Sequence, residues 1–119
     1  MSNQIVWFDI PVKDLDRAIQ FYSKVLGADI KKEFPNMPVG VFAHKEGKVS
    51  GCLFEDKAEK PSDHGPLLYF NVNGRLDDAV KLSEKHGGEV IKPKHQIGPY
   101  GFRAIVLDSE GNRIALHST

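Results

Sequence analysis

Cysteine is almost absent: Cys52 stands alone among 119 residues. A single thiol excludes an internal disulfide and any zinc site built from cysteine pairs. No stretch approaches the roughly 20 apolar residues needed to cross a bilayer. The opening MSNQIVWFDI has neither the basic start nor the long apolar run of a secretory signal. Neither sign of charge dominates, since 16 Lys and Arg balance 16 Asp and Glu. Without clustered basic charge, counterion release gives no drive toward nucleic acid or an anionic membrane. These absences predict a cytoplasmic chain with neither nucleic acid nor membrane as partner.

What is present is globular in kind: 40% of residues are apolar and 27% charged. A chain of this length buries somewhat over ~60% of its unfolded surface, enough for one core without staples. Residues 1–119 are therefore expected to form a single domain.

Its organisation is a faint internal repeat. Residues 14–32 (DLDRAIQFYSKVLGADIKK) and 75–93 (RLDDAVKLSEKHGGEVIKP) align at an offset of 61, with seven identical pairs. Each copy reads as strand, helix, strand. In the first, residues 4–10 are rich in β-branched and aromatic types, and Pro11 closes the run. Asp14 suits an N-cap; Leu15, Ala18, Ile19, Tyr22, Val25 and Leu26 make a helical apolar stripe, and Gly27 ends it. The second begins with strand 67–72, and its helix carries Leu76, Ala79 and Val80 before stopping at Gly87-Gly88. Three further short strands follow each helix, near 28–34, 39–45 and 49–55, then 89–93, 101–107 and 112–118. Turns are marked by Pro35, Pro38 and Gly47, and by Asp108-Ser109-Glu110-Gly111-Asn112.

The reading is α+β, two βαβββ modules. Module one covers about 1–55, a polar linker about 56–65, and module two about 66–119. A short sheet with one helix leaves an apolar face open, so the two halves must complete each other. The expected result is a curved eight-stranded mixed sheet around a cleft, with the helices outside.

The runs V-x-D-L-D-R-A-I-x-F-Y from Val12 and L-D-S-E-G-N-R-I-A-L-H-S from Leu107 carry a resemblance. With the repeat, they resemble the vicinal-oxygen-chelate superfamily of glyoxalases, bleomycin resistance proteins and extradiol dioxygenases, over essentially the whole chain. The likeness points to the small single-chain bacterial members, and it implies the fold more sharply than the reaction. It also implies a small-molecule ligand and a homodimer.

Enzymes of this superfamily hold one divalent metal between the first and last strands of the two halves, usually through His, Glu or Gln. The matching positions here are Trp7 and Leu67, five residues ahead of Val12 and Val72, together with Cys52 and Ala115. A transition metal needs several N, O or S lone pairs at ~2.0–2.3 Å. Indole, two hydrocarbons and one thiol do not supply them, so no metal and no cofactor is predicted unless the register is wrong at two or more positions.

Strand alternation extends the candidate cleft. Asp9 follows Trp7 on one face, Phe54 follows Cys52, Tyr69 and Asn71 follow Leu67, and His117 follows Ala115. Tyr100 ends a Gly- and Pro-bearing loop, His95 to Gly101, that either borders the cleft or is a plain connector. Trp7 is a stacking platform or a core filler. Asp9 is a base or ligand anchor, or it pairs with Arg103 or Arg113, whose faces the hairpin parity leaves open. Cys52 is a nucleophile or an inert buried thiol, and with no adjacent base the inert reading is favoured. His44, His64, His86 and His95 show no short-spaced ligand pattern and read as solvated. Asp9 and His117 are the catalytic candidates, though no reaction is assigned. Three functions remain in play: a metal-free small-molecule binder or metal-independent enzyme; a metal-dependent lyase or dioxygenase with displaced ligands at Asp9, His117 and Glu55; and a drug-sequestering protein using Trp7, Asp9 and Tyr69.

Overall fold

A computed structural model describes residues 3–33, 38–44 and 47–119. The predicted turn at Pro35, and the predicted strand ends at Phe34 and Lys45, lie outside the described residues. Module one runs β1 (Trp7–Pro11), α1 (Leu15–Leu26), β2 (Ile30–Glu33), β3 (Val39–Phe42) and β4 (Ser50–Phe54). Module two repeats it as β5 (Leu68–Asn71), α2 (Leu76–Lys85), β6 (Glu89–Gln96), β7 (Phe102–Leu107) and β8 (Arg113–Ser118). A single 3-10 turn, Gly98–Tyr100, joins β6 to β7. No helix among the described residues is long and apolar enough to cross a membrane.

Local chemistry sets the helix ends. The Asp14 side chain accepts the Arg17 amide at 3.1 Å, and Gly27 takes the left-handed conformation at φ 63°. The buried face of α1 is Leu15, Ala18, Phe21, Tyr22 and Val25. Ile19 and Leu26, expected in the stripe, are only partly buried, and Phe21 takes their place.

The strands form two four-stranded mixed sheets, ordered β1-β4-β3-β2 and β5-β8-β7-β6. In each, the first strand pairs parallel with the last and the remaining ladders are antiparallel. The eight expected strands are all present, divided evenly between the modules. Two boundaries differ from expectation. β1 starts at Trp7 rather than residue 4 and includes Pro11, whose missing N–H is harmless on an edge strand. β6 runs on through Pro93 to Gln96, with irregularities between Val90 and Lys92 and between Lys92 and His95. It too is an edge strand, where a proline and a bulge are tolerated.

One core serves both halves. Leu53 and Phe42 of the first sheet, Phe70, Val106, Ile114 and Leu116 of the second, and the inner faces of both helices form a single cluster. The Tyr22 ring lies 5.5 Å from both Phe42 and Phe70, so it belongs to each module equally.

The turn at 108–112 brackets the modules together. Buried Asp108 accepts the backbone N–H groups of Glu110 and Asn112 and the Tyr22 hydroxyl at 2.5 Å. Glu110, 4% exposed, accepts the amides of Lys13 and Asp14 at 2.9 Å and the Arg17 guanidinium at 2.7 Å. Asn112 donates to the Pro11 carbonyl at 2.8 Å. Burial pushes the Tyr22 hydroxyl well above its ordinary pKa, and the neighbouring Asp108 carboxylate adds to that. Tyr22 thus stays a neutral donor, and Tyr22→Phe is expected to cost roughly 1–3 kcal/mol by leaving a buried carboxylate oxygen short of a partner. Urea denaturation checks this; an unchanged midpoint would show the bond to be dispensable.

Candidate functional site

Two groups of side chains stand on the sheet faces away from the core, one per module. In module one, Asp9 lies opposite Cys52 across the β1–β4 ladder. The Trp7 indole donates to Asp9 Oδ1 at 2.9 Å, and the Cys52 thiol donates to the same oxygen at 3.2 Å. Trp7 is 43% exposed and meets the His44 ring edge-on at 6.0 Å, so it is a surface platform rather than a core filler. Phe54, at the end of β4, is partly buried.

Burial, with the Asp9 carboxylate beside it, pushes the Cys52 thiol up to about 11. A thiol held that high carries almost no thiolate at neutral pH and is a poor nucleophile. Folded protein at pH 8 is expected to react with a disulfide reagent at least ~10-fold more slowly than the urea-unfolded chain. Equal rates would contradict the inert assignment.

In module two, ladder register sets four polar side chains in one row across the sheet. His95 faces Arg103, Arg103 faces His117, and His117 faces Asn71. The next row is Ile105, Ala115 and Tyr69. Arg103 donates through Nε to His95 Nε2 at 2.9 Å and through Nη1 to the Tyr69 hydroxyl. That bridge passes from β7 to β5 across β8, where Ala115 is fully buried. His117 Nε2 sits 2.6 Å from the Tyr100 carbonyl, while the Tyr100 side chain is 74% exposed. Leu67 lies just ahead of β5 and is partly buried.

Two earlier expectations change. Asp9 pairs with neither arginine: it takes Trp7 and Cys52, whereas Arg103 takes His95 and Tyr69, and Arg113 donates to the Gly65 carbonyl at 2.7 Å. His95 is a partner of Arg103 rather than a free solvated ring. Sequence reasoning left Arg103 and Arg113 unassigned because the turn length set the parity, and the observed pairing of Leu107 with Arg113 resolves it. Among the described residues no hydrogen bond or ring contact joins Trp7, Asp9 and Cys52 to Tyr69, Arg103 and His117. A cleft of about 320 Å³ between β1 and the start of β8 includes Asp9 but none of the other sequence-selected residues. Tyr69 and Asn71 border a separate groove with Phe8 and Phe42. The sequence-selected residues therefore fall into two separate groups rather than one cluster.

Repeat, topology and these faces define one class of protein. The chain belongs to the Glyoxalase/Bleomycin resistance protein/Dioxygenase superfamily, whose family model matches residues 4–116. It is 28% identical to a glyoxylase-like domain-containing protein of Didymella fabae, over 98% of this chain and 94% of that one. Among solved structures it is similar to TnmS3, an antibiotic binding protein from Streptomyces sp. CB03234, at 26% identity and TM-score 0.70, covering 98% of this chain and 95% of that one. It also shares its fold with the fosfomycin resistance protein FosX of Listeria monocytogenes, at 16% identity and TM-score 0.70, covering 100% of this chain and 95% of that one.

The metal expected of the family's enzymes does not fit these residues. Trp7 and Leu67 offer no lone pair, Ala115 has no donor atom and is covered, and the Cys52 thiol is held protonated against Asp9. No group of three or more His, Cys, Asp or Glu among the described residues is placed to hold an ion.

Proposed function

We propose that this protein binds a small organic molecule without a metal, on the aromatic and polar sheet faces that carry Trp7, Asp9 and Cys52 in one module and Tyr69, Asn71, Arg103, Ala115 and His117 in the other. The observation that carries this reading is the half-exposed pair of large rings, Trp7 at 43% and Tyr69 at 48%, each held by a hydrogen bond on a rigid strand. Aromatic side chains fixed on strands offer contact area at little entropic cost, which suits a ligand.

The reading includes a homodimer. Ile5, Val6 and Val49 are exposed along with Trp7 in module one, and Ile91 and Tyr100 along with Tyr69 in module two, whereas exposed Phe102 sits under Lys94 on the helix side. A second copy covering the exposed Trp7 and Tyr69 faces would bring complementary groups together into one cleft. Sedimentation at high micromolar concentration tests this; a monomer there would remove the dimer from the proposal.

A second reading, sequestration of an antibiotic-like aromatic compound, draws support from the likeness to TnmS3. Metal titration followed by desalting separates both readings from a displaced-ligand lyase or dioxygenase. Retained Zn, Ni or Mn is expected well below one equivalent per chain, with thermal stability unchanged by chelator. Tight stoichiometric retention would overturn the metal-free proposal. A thermal-shift screen of neutral, anionic and cationic aromatic compounds then separates a general binder from a cation-selective drug trap.

A further inference from the structure

We propose that the row centred on Arg103 is an oxyanion anchor, and that the ligand carries a carboxylate or phosphate group seated on it. This rests on the small-molecule reading above and specifies the ligand's charge.

The first argument is donor counting. A guanidinium has five N–H groups, and Arg103 uses one on His95 Nε2 and one on the Tyr69 hydroxyl. Three have no hydrogen-bond partner among the described residues. Tyr69 accepts from Arg103, so its own O–H proton is left to donate. Asn71 turns its carbonyl oxygen to the Asn73 amide at 2.9 Å, which leaves its NH₂ outward. Among the described residues of the row, His117 Nδ1 is the ring nitrogen left as an acceptor, because Nε2 is committed to the Tyr100 carbonyl.

The second argument is charge. Among the described residues no carboxylate lies within ion-pair distance of Arg103; the ion pairs there involve Arg17, Lys32, His64 and Lys94. The side chains of the two rows, from His95 to Asn71 and from Ile105 to Tyr69, include no Asp or Glu. An arginine whose partners are all neutral presents its full charge outward.

The third argument is rigidity. His95 Nδ1 is tied to the Pro93 carbonyl at 2.9 Å, its Nε2 holds Arg103 Nε, and Tyr69 holds Nη1. The Tyr69 ring also lies 5.9 Å from the guanidinium carbon. The guanidinium is thus fixed at two of its three nitrogens before any ligand arrives, which lowers the ordering cost of binding. Arg103 recognises planar oxyanions better than a flexible lysine would, since its free edge can form paired hydrogen bonds. The adjoining Tyr69 ring favours an aromatic or unsaturated body on the anion.

The probes are benzoate, phenyl phosphate and the neutral isostere benzamide, titrated by amide and side-chain NMR into wild type and Arg103→Met. Benzoate or phenyl phosphate is expected to bind wild type roughly tenfold or more tightly than benzamide, with shifts centred on Tyr69, Asn71, Arg103 and His117. The stronger of the two anions identifies the headgroup. In Arg103→Met, the preference for the anion is expected to vanish while weak benzamide binding persists. Benzamide binding as tightly as both anions on wild type would overturn the anchor and leave the small-molecule reading standing. No probe shifting this face would count against both. The wild-type comparison alone decides the matter if the variant fails to fold.

Discussion

Phe21→Ala is expected to destabilise the fold by about 3–5 kcal/mol, read as a lower urea midpoint at unchanged slope. Phe21 is fully buried, stacks edge-on with Tyr22 at 5.1 Å, and reaches under module two. There its ring fills the space beside Gly88, where even a Cβ would come within 2.9 Å of it. Removing the ring opens a cavity between the modules and removes contacts from both. A domain of this size has a net stability of only ~5–15 kcal/mol, so much of it would go. Ile19→Ala, partly buried on the same helix, is expected to cost less than half as much. If the two variants lose equal stability, the packing of Phe21 between modules is not the source of its effect.

The second large effect is expected at Glu110. Glu110→Gln keeps the shape but gives up the charge that receives two backbone amides and a guanidinium, at roughly 2–4 kcal/mol. Burial alone would raise the Glu110 carboxyl, but hydrogen bonds from Arg17, the Asp14 amide, Ser109 and the Lys13 amide hold it below the ordinary value of 4.5. A lowered folded value means the stabilisation is complete above the ordinary pKa and fades as pH falls through the folded one. Asp108 works oppositely. Burial raises its carboxyl above 3.8 despite the hydrogen bonds it accepts, so its contribution is largest in acid and is lost as pH rises through the folded value. Asp108 is common to wild type and Glu110→Gln, so their difference isolates Glu110. That difference is expected to be flat from neutral pH to about 5 and to shrink below it. A difference that grows in acid would reverse the assignment.

The helices and the module repeat were legible because their signals are local. Asp14 and Gly27 act within one turn of α1, and the second helix stops before a glycine pair as expected. Phe21 was missed for a different reason. It continues the spacing from Ala18 to Val25, but the wider stripe through Ile19 and Leu26 competed with it, and only the second module decides which edge is covered. The 108–112 segment read as a turn, and it is one. Its larger task depends on partners at residues 11–22, which no local pattern announces. On the face side, alternation put Asp9 with Trp7 and Tyr69 with Asn71, whereas the ladder register that sets Asp9 opposite Cys52 and Tyr69 opposite Ala115 is a pairing between distant strands that no local period encodes. Arg103 could not be placed in that way, because one residue more or less in the 108–112 hairpin that follows it changes how β7 and β8 match.

The 108–112 bracket also governs how the protein is made. Arg17 meets Glu110 across 93 positions of sequence, and Tyr22 meets Asp108 across 86. During synthesis the contacts that Phe21 and Tyr22 make with Gly88, Phe70 and Asp108 are therefore completed only when nearly all of the second half has been made. The late turn is thus the last piece that closes the shared core.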